Sequence, residues 1–503
     1  MHKLLFTLFF TVIFAITMVG SLVLFAQTSK IQPTQSVQEF IPGPVYQEYN
    51  KIWNADEGMA HFFECLEELM ESKRDRVTIV HIGDSHIQAD WFSGSVRMSL
   101  QQQFGNAGRG LVFPFRQANT NAPPDITSYS NVSWSSRRIS STRSYPPVGI
   151  SGFGLQTNAP DFRLSLQIVP NNQGLDYSFD RVNFFTDKGP YSYDLWVGES
   201  TPQPSAIPSG GSSAGVMKHK IVPGESLASI SRQYQCTVEE LMAWNGLVDS
   251  RIYAGNSLKV SAPNTSQRQA AVVATPAQRD GMQLDLSSRS LVPHFSSMRL
   301  PKPVTQITFS GMKSSAAQEH LILYGLVLEK EESPGVLYHG IGANGARVDN
   351  YLHSDIFWEQ LAALQPDLVI ISLGTNETVS SSFRPEIFAR KIDQMVHLVR
   401  KAAPETSVLL TTPPDALSQR IKANPAMQGA SQSLMKLSLD NGYAAWDFLG
   451  VMGGSGSIFE WQRHGLAQPD GIHLTKAGYE LQASLLHHAL MEAYGYYLSH
   501  TSR

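Results

Sequence analysis

The chain has 503 residues, 42% hydrophobic and 16% charged, with 39 Lys and Arg against 43 Asp and Glu and a formal net charge of −4. That balance excludes a disordered polar tail, which cannot bury enough apolar surface to fold, and a basic nucleic-acid binder. The length asks for roughly two to four domains. The two cysteines, Cys65 and Cys236, are too few for a disulfide framework or a zinc site, and each sits among apolar neighbours as a small core residue.

Residues 4–26 form an uncharged apolar run behind Lys3. The run fits either a cleaved signal peptide or an uncleaved signal anchor over 1–26. Both readings send the remainder to the periplasm or cell envelope and confine membrane contact to this segment.

Glu57–Lys73 has helical spacing, Val77–Ile82 reads as a buried strand, and Gln88–Phe104 returns to helical spacing. Strand, loop and helix in that order open an α/β sheet. From 123 to 200, and again over 281–335, apolar residues alternate with polar ones between Gly and Pro, so this part reads as a β-rich domain. Two segments, 201–217 (rich in Pro, Ser and Gly) and 262–280 (rich in Ala, Gln, Thr and Ser), read as linkers around a compact module at 218–261. The α/β rhythm then resumes: strands at Leu368–Leu373, Ser407–Thr412 and Tyr443–Phe448, and helices at Pro385–Ala402 and Thr475–Leu498, with Thr475 as N-cap. One α/β domain over 50–122 and 336–503 is therefore expected to be split by a large insertion.

Four short motifs carry chemistry. Gly83-Asp84-Ser85-His86 follows the first buried strand, which places Ser85 at the carboxyl edge of a parallel sheet, where such folds bind ligands. Asp470-Gly471-Ile472-His473 precedes the last helix, a spacing that lets the carboxylate orient the imidazole. Asn376, in Gly374-Thr375-Asn376-Glu377, follows the second buried strand and offers an amide donor for an oxyanion. Gly340 to Ala346 holds glycines, Gly342 and Gly345, whose backbone N–H groups can face a reacting oxygen. Each motif alone is an ordinary turn; four in this order are not. The glycine-rich stretch Gly105–Gly110 lacks a phosphate-loop lysine, follows a helix, and reads as a structural loop lining the site.

This set resembles the SGNH or GDSL hydrolase family. Gly83-Asp84-Ser85-His86, Ile87-Gln88-Ala89-Asp90, Phe104-Gly105 and Gly108-Arg109-Gly110 look like its peptidoglycan O-acetylesterase branch. The resemblance implies a flavodoxin-like three-layer α/β/α domain with an inserted, jelly-roll-like, carbohydrate-binding-like β domain. It also implies a serine esterase: Ser85 as nucleophile, His473 as base and then acid, Asp470 orienting His473, and an oxyanion hole from the Ser85 amide, Gly345 (with Gly342 the alternative) and Asn376. No cofactor or metal is expected. Hydrolysis and transfer of the acetyl group to another sugar hydroxyl both fit this machinery, and a catalytically silent wall-binding protein is the competing class.

Residues 219–260, from His219-Lys220-Ile221-Val222-Pro223-Gly224-Glu225-Ser226-Leu227 to Ile252-Tyr253-Ala254-Gly255, closely resemble the LysM domain. That resemblance implies peptidoglycan or another N-acetylglucosamine-containing glycan as partner, bound by loops at Pro223, Gly224 and Glu225 and at Tyr253, Ala254 and Gly255. Leu227, Ile230, Tyr234, Leu241 and Trp244 read as its core.

Overall fold

The computed structural model describes residues 44–169, 174–198, 218–222, 225–234, 241, 245, 252, 256–260, 282–284 and 295–501. The apolar leader at 4–26 and the linkers at 201–217 and 262–280 lie outside the described residues. Among the described residues, no helix is long and apolar enough to cross a membrane.

The chain divides into two units, one made of 1–105, 334–355 and 364–503, the other of 106–333 and 356–363. The first contains a six-stranded sheet: β1 (Ile52–Trp53), β2 (Arg76–Gly83), β3 (Gly335–Gly342), β4 (Leu368–Ser372), β5 (Ser407–Thr411) and β6 (Ala444–Trp446). Its order is β1-β6-β5-β4-β2-β3, parallel throughout except for β1 against β6. Alternation on these strands feeds two faces. Val77, Ile79, Leu368, Ile370 and Leu409 join one core with Phe62, Leu66, Val96, Leu100, Leu486 and Leu490, from helices Ala60–Met70, Trp91–Phe104 and Lys476–Thr501. The alternate residues Val80, Ile82, Val369, Ile371 and Leu410 are equally buried, as are Phe388, Ile392, Met395 and Val399 of helix Pro385–Ala402. Continuous apolar runs are what a strand covered on both faces requires.

Two expected helices break in informative places. Glu57–Lys73 becomes Ala55–Gly58 and Ala60–Met70, interrupted at Met59 (φ −115°, ψ 0°); just before the break, a Cβ on Gly58 would come within 2.3 Å of the Ala444 amide nitrogen, so the close approach to that strand requires glycine. Gln88–Phe104 becomes Ser85–Gln88 and Trp91–Phe104, with Asp90 between them at φ 59° and its carboxylate bonded to Ser93 Oγ (2.6 Å) and Arg97 Nη2 (2.8 Å).

The second unit holds two antiparallel sheets. One runs Met282–Leu284, Asp194–Gly198, Gln306–Met312, Arg163–Ile168 and Ile126–Ser130. The other runs Phe295–Val304, Phe179–Thr186, Leu321–Glu329, Phe153–Thr157 and Ser135–Arg138. Phe184 meets Phe309 edge to face across the two sheets at 5.6 Å.

Where the chain changes unit differs from the expected 122/123 boundary. The first unit ends at Gly105, because Gly110–Val112 is a strand paired with Leu326–Leu328 and buried Arg109 bonds Asp125. The stretch expected to be a site-lining loop is thus a framework element of the second unit. Residues 356–363 also belong there: buried Gln360 accepts the Ile150 amide at 2.8 Å.

Within 218–261, Lys218–Lys220 pairs antiparallel with Ser257–Lys259, and Leu227–Gln233 is helical. Ile221, Leu227, Ile230, Leu241, Leu258 and Val260 form a small core of their own, with Tyr234 packed on it.

Candidate active site

Strand β2 ends at Gly83, and the chain turns at once into the short helix Ser85–Gln88. A Cβ on Gly83 would lie 2.3 Å from Ile87 Cγ1 and 2.9 Å from the Ser372 carbonyl oxygen, so the turn requires glycine. Asp84 caps the helix, its Oδ1 accepting from the His86 amide at 3.0 Å. Tyr351 Oη donates to the Gly83 carbonyl at 2.7 Å, fixing the strand end from the other side. The outcome is a serine presented at the carboxyl edge of the sheet.

Ser85 Oγ lies 2.9 Å from His473 Nε2, and His473 Nδ1 lies 2.7 Å from Asp470 Oδ2. Asp470 also shapes its own loop, its Oδ1 accepting the backbone N–H groups of Ile472 (2.9 Å) and His473 (3.0 Å). Gly471, at φ 67°, lets the loop press on Leu417, whose N–H donates to the Gly471 carbonyl at 2.7 Å. Burial raises the Asp470 carboxyl, but the bonds from the His473 ring and the two amides outweigh it and hold the group well below the usual carboxylate range. As a carboxylate it favours the His473 tautomer protonated at Nδ1, which leaves the Nε2 lone pair facing Ser85. The His473 and Asp470 side chains are 37% and 31% exposed, so the line of contacts is open to solvent.

Asn376 sits in the turn after β4 and donates through Nδ2 to Asp84 Oδ2 and to the Ala346 carbonyl, both at 3.0 Å. Both its amide hydrogens are therefore engaged. Burial pushes the Asp84 carboxyl up to about 6, against the bonds from His86 and Asn376, and pushes Glu377 up to about 7. The two glycines differ in kind. Gly342 pairs with Gly83 at the end of the β-ladder, and a Cβ there would lie 2.3 Å from the Gln88 nitrogen. Gly345 is exposed in a turn at φ 73°, and its N–H, like that of Ser85, has no hydrogen-bond partner among the described residues.

Sequence reasoning missed the supports behind these groups: Asp84 on Asn376, Tyr351 on Gly83, Gln88 Oε1 accepting the Asn344 amide at 2.6 Å, and Tyr479 Oη 2.9 Å from His86 Nδ1. Asp84 and Gln88 stood inside the quoted motifs, but no spacing in the sequence names their partners.

A second cluster lies at the opposite edge of the sheet. Cys65 Sγ is 3.5 Å from His61 Nε2 and 3.4 Å from Asp367 Oδ1, ligand types and spacings that suit a metal ion. Arg74 Nη1, however, is 2.6 Å from that same Asp367 oxygen and already supplies the positive charge. Burial, and then Asp367, push the Cys65 thiol up to about 12, so it stays protonated and unreactive. Cys65 is buried as expected, and it is also a hydrogen-bond donor.

Of the residues expected to touch glycan, Pro223, Gly224, Tyr253, Ala254 and Gly255 lie outside the described residues, as do Cys236 and Trp244. Glu225 is described. Its Oε2 accepts the Val222 amide and meets His219 Nε2, each at 2.8 Å, so the carboxylate closes its own loop.

Residues 323–481 match the GDSL-like Lipase/Acylhydrolase family and residues 219–261 match the LysM domain. The first match includes Gly345, Asn376, Asp470 and His473 but begins after Ser85, as a long insertion between the first two motifs would cause. No curated protein matches the chain. A solved structure of a peptidoglycan O-acetylesterase is similar over 88% of this chain and 99% of its own, with TM-score 0.60 and 18% identity, a likeness of fold. A lipase/acylhydrolase from Enterococcus faecalis is similar over 32% of this chain and 77% of its own, with TM-score 0.26 and 20% identity. The chain thus contains a GDSL-like lipase/acylhydrolase domain and, within the segment that interrupts it, a LysM domain.

Proposed function

We propose that this protein is an exported, wall-associated serine esterase that removes O-acetyl groups from peptidoglycan through an acetyl-serine intermediate, with the LysM segment raising its concentration on the wall. The observation that carries the reading is the line Ser85 Oγ, His473 Nε2, His473 Nδ1, Asp470 Oδ2, with contacts of 2.9 and 2.7 Å. Peptidoglycan as substrate is supported by the LysM match and by similarity in fold to a peptidoglycan O-acetylesterase across nearly the whole of both chains.

In this reading Ser85 Oγ bonds to the acetyl carbonyl carbon as its proton passes to His473 Nε2. Charge gathers on the carbonyl oxygen, where the Ser85 and Gly345 N–H groups, which have no partner among the described residues, can donate. Asn376 adds a third donor by exchanging its bond to the Ala346 carbonyl for the oxyanion, while the charge-assisted bond to Asp84 keeps it aimed. The ester C–O bond then breaks and the sugar oxygen takes the Nε2 proton. Water, giving a proton to Nε2, attacks the acetyl-serine, and the bond from the acetyl carbon to Ser85 Oγ breaks as Nε2 returns that proton to Oγ, releasing acetate. Gly342 serves close packing in this scheme and Gly345 donates.

The test is acetate release from O-acetylated peptidoglycan against the same wall after chemical de-O-acetylation. Release from the first alone, lost in Ser85→Ala, is the expected result; undiminished release by Ser85→Ala overturns the mechanism. Removing 218–261 should slow turnover of whole sacculi and leave cleavage of small acetyl esters intact.

A further inference from the structure

We propose that His86 and Tyr479 form a buried latch that holds the nucleophile turn against the helix behind the catalytic histidine, which makes His86 a positioning residue for the Ser85–His473 contact. The inference rests on the esterase reading above.

His86 directly follows Ser85 and is 4% exposed. Its Nδ1 is 2.9 Å from Tyr479 Oη, across 393 residues of sequence, and the two rings meet edge to face at 5.8 Å. The His86 ring also neighbours the His473 ring, centroid to centroid 5.2 Å. Tyr479 lies in the first turn of helix Lys476–Thr501. Its N–H donates to the Thr475 carbonyl at 2.9 Å, and Thr475 Oγ1 caps the helix by accepting the Gly478 amide at 3.1 Å. Ser85, His86, Tyr479, Thr475 and His473 therefore close a ring in space whose final link is the Ser85–His473 contact itself. Reaction geometry is sensitive on this scale: a misplacement of about 1 Å can cost about 100-fold.

A leucine at position 86 would fill similar volume but leave the buried Tyr479 O–H without its acceptor, the Leu474 backbone remaining as the hydroxyl oxygen's other partner. Histidine supplies that partner at a cost, since its Nε2 is buried with none among the described residues. Burial, and then the neighbouring His473, push the His86 ring down to about 3, so it stays neutral beside the imidazolium that His473 becomes during catalysis. A polar group retained with one unsatisfied nitrogen is better explained by the contact it makes than by space filling.

The experiment measures kcat and KM on p-nitrophenyl acetate per active site, the sites being counted by fluorophosphonate titration, for Tyr479→Phe, His86→Leu, His86→Asn and the double variant His86→Leu/Tyr479→Phe. Expected are an approximately tenfold lower kcat in Tyr479→Phe and in His86→Leu with KM within about twofold, a double variant no worse than either single, and recovery in His86→Asn, whose side chain can meet Tyr479 Oη in place of Nδ1. Wild-type kcat in Tyr479→Phe, additive losses in the double variant, or a lower Tm with wild-type kcat per titrated site overturns the latch. Ser85→Ala is assayed beside them. Residual activity there refutes the esterase reading itself, whereas an inactive Ser85→Ala with an unaffected Tyr479→Phe refutes the latch alone.

Discussion

At the carboxyl edge of the parallel sheet, Ser85, His473 and Asp470 stand in line, with the histidine between the other two. At the amino edge, Cys65, His61 and Asp367 stand in a triangle in which the aspartate touches the thiol directly. Both clusters hold a nucleophile, a histidine and an aspartate, and both bring distant parts of the sequence together. They differ in contact order and in solvation. In the first, the carboxylate sees the imidazole and the nucleophile sees the imidazole, so a proton has a path and the serine remains reachable. In the second, the negative charge lies beside the thiol and disfavours the thiolate, Arg74 neutralises the carboxylate, and Cys65 is 1% exposed. A list of residue types cannot separate the two; the order of their contacts does.

The largest expected contrast between these edges is in rate. Ser85→Ala should lower kcat for acetyl ester cleavage by about 10⁶-fold, while Cys65→Ala, measured in the same assay, should stay within about twofold of wild type and lose about 1 kcal/mol of stability. A large rate loss in Cys65→Ala would erase the distinction.

Removing the charge from each aspartate sharpens the contrast. Asp470→Asn should drop kcat by about 10⁴-fold per folded molecule, because the wrong His473 tautomer then faces Ser85. Asp367→Asn should cost about 2 kcal/mol in denaturant unfolding, since it weakens the Arg74 pair and the bond accepted from the Thr78 amide (2.8 Å), and should leave kcat per folded molecule near wild type.

Stability against pH should also separate the two ends. Asp84, behind the Ser85 turn, keeps its proton to about pH 6 in the folded protein but only to about pH 4 when unfolded. The folded state therefore binds more protons in that window, and stability falls as pH rises from about 4 to about 6, by about 3 kcal/mol from this group. Asp367 is lowered instead: burial opposes its ionisation, but His61, Thr78 and Arg74 outweigh it. Its contribution is present above the unfolded carboxyl range and is lost as pH falls through the folded value. Tm followed from pH 3 to 7 should show the Asp84 slope flattened in Asp84→Asn and the acid-side loss reduced in Asp367→Asn.

The smallest expected effect is chemical. Iodoacetamide at pH 8 should leave activity unchanged and label Cys65 only after unfolding, because the buried thiol stays protonated far above that pH. Rapid labelling of native Cys65, read by mass spectrometry, would contradict its burial.

Much of this was legible along the chain because it is local. Val77–Ile82 and Leu368–Leu373 announced buried strands through short, mostly apolar runs rich in β-branched residues, and helix Pro385–Ala402 matches the expected span from end to end. Pro425–Asn441 was not anticipated, since its buried face mixes Met427 and Leu434 with Ala430, Ser431 and Ser438 and so carries a weak apolar stripe. The boundary at Gly105 was missed for a related reason: three residues, Gly110–Val112, form a strand because Leu326–Leu328 pairs with them, and no local pattern reports a distant partner.

The sequence by itself determined where reactive groups sit relative to the nearest strand or helix. Ser85 after β2, Asn376 after β4 and Asp470 three residues before His473 follow from periodicity, turn chemistry and motif spacing, all effects that act over a few residues. Tertiary structure alone decided which of these groups meet. It set Ser85 against His473 across 388 residues, turned Asn376 toward Asp84, separated the packing role of Gly342 from the open N–H of Gly345, and made Cys65 inert beside Asp367. The physical reason is that hydrogen bonding and charge interactions depend on distance and burial in space, and the pairing of the strands fixes both.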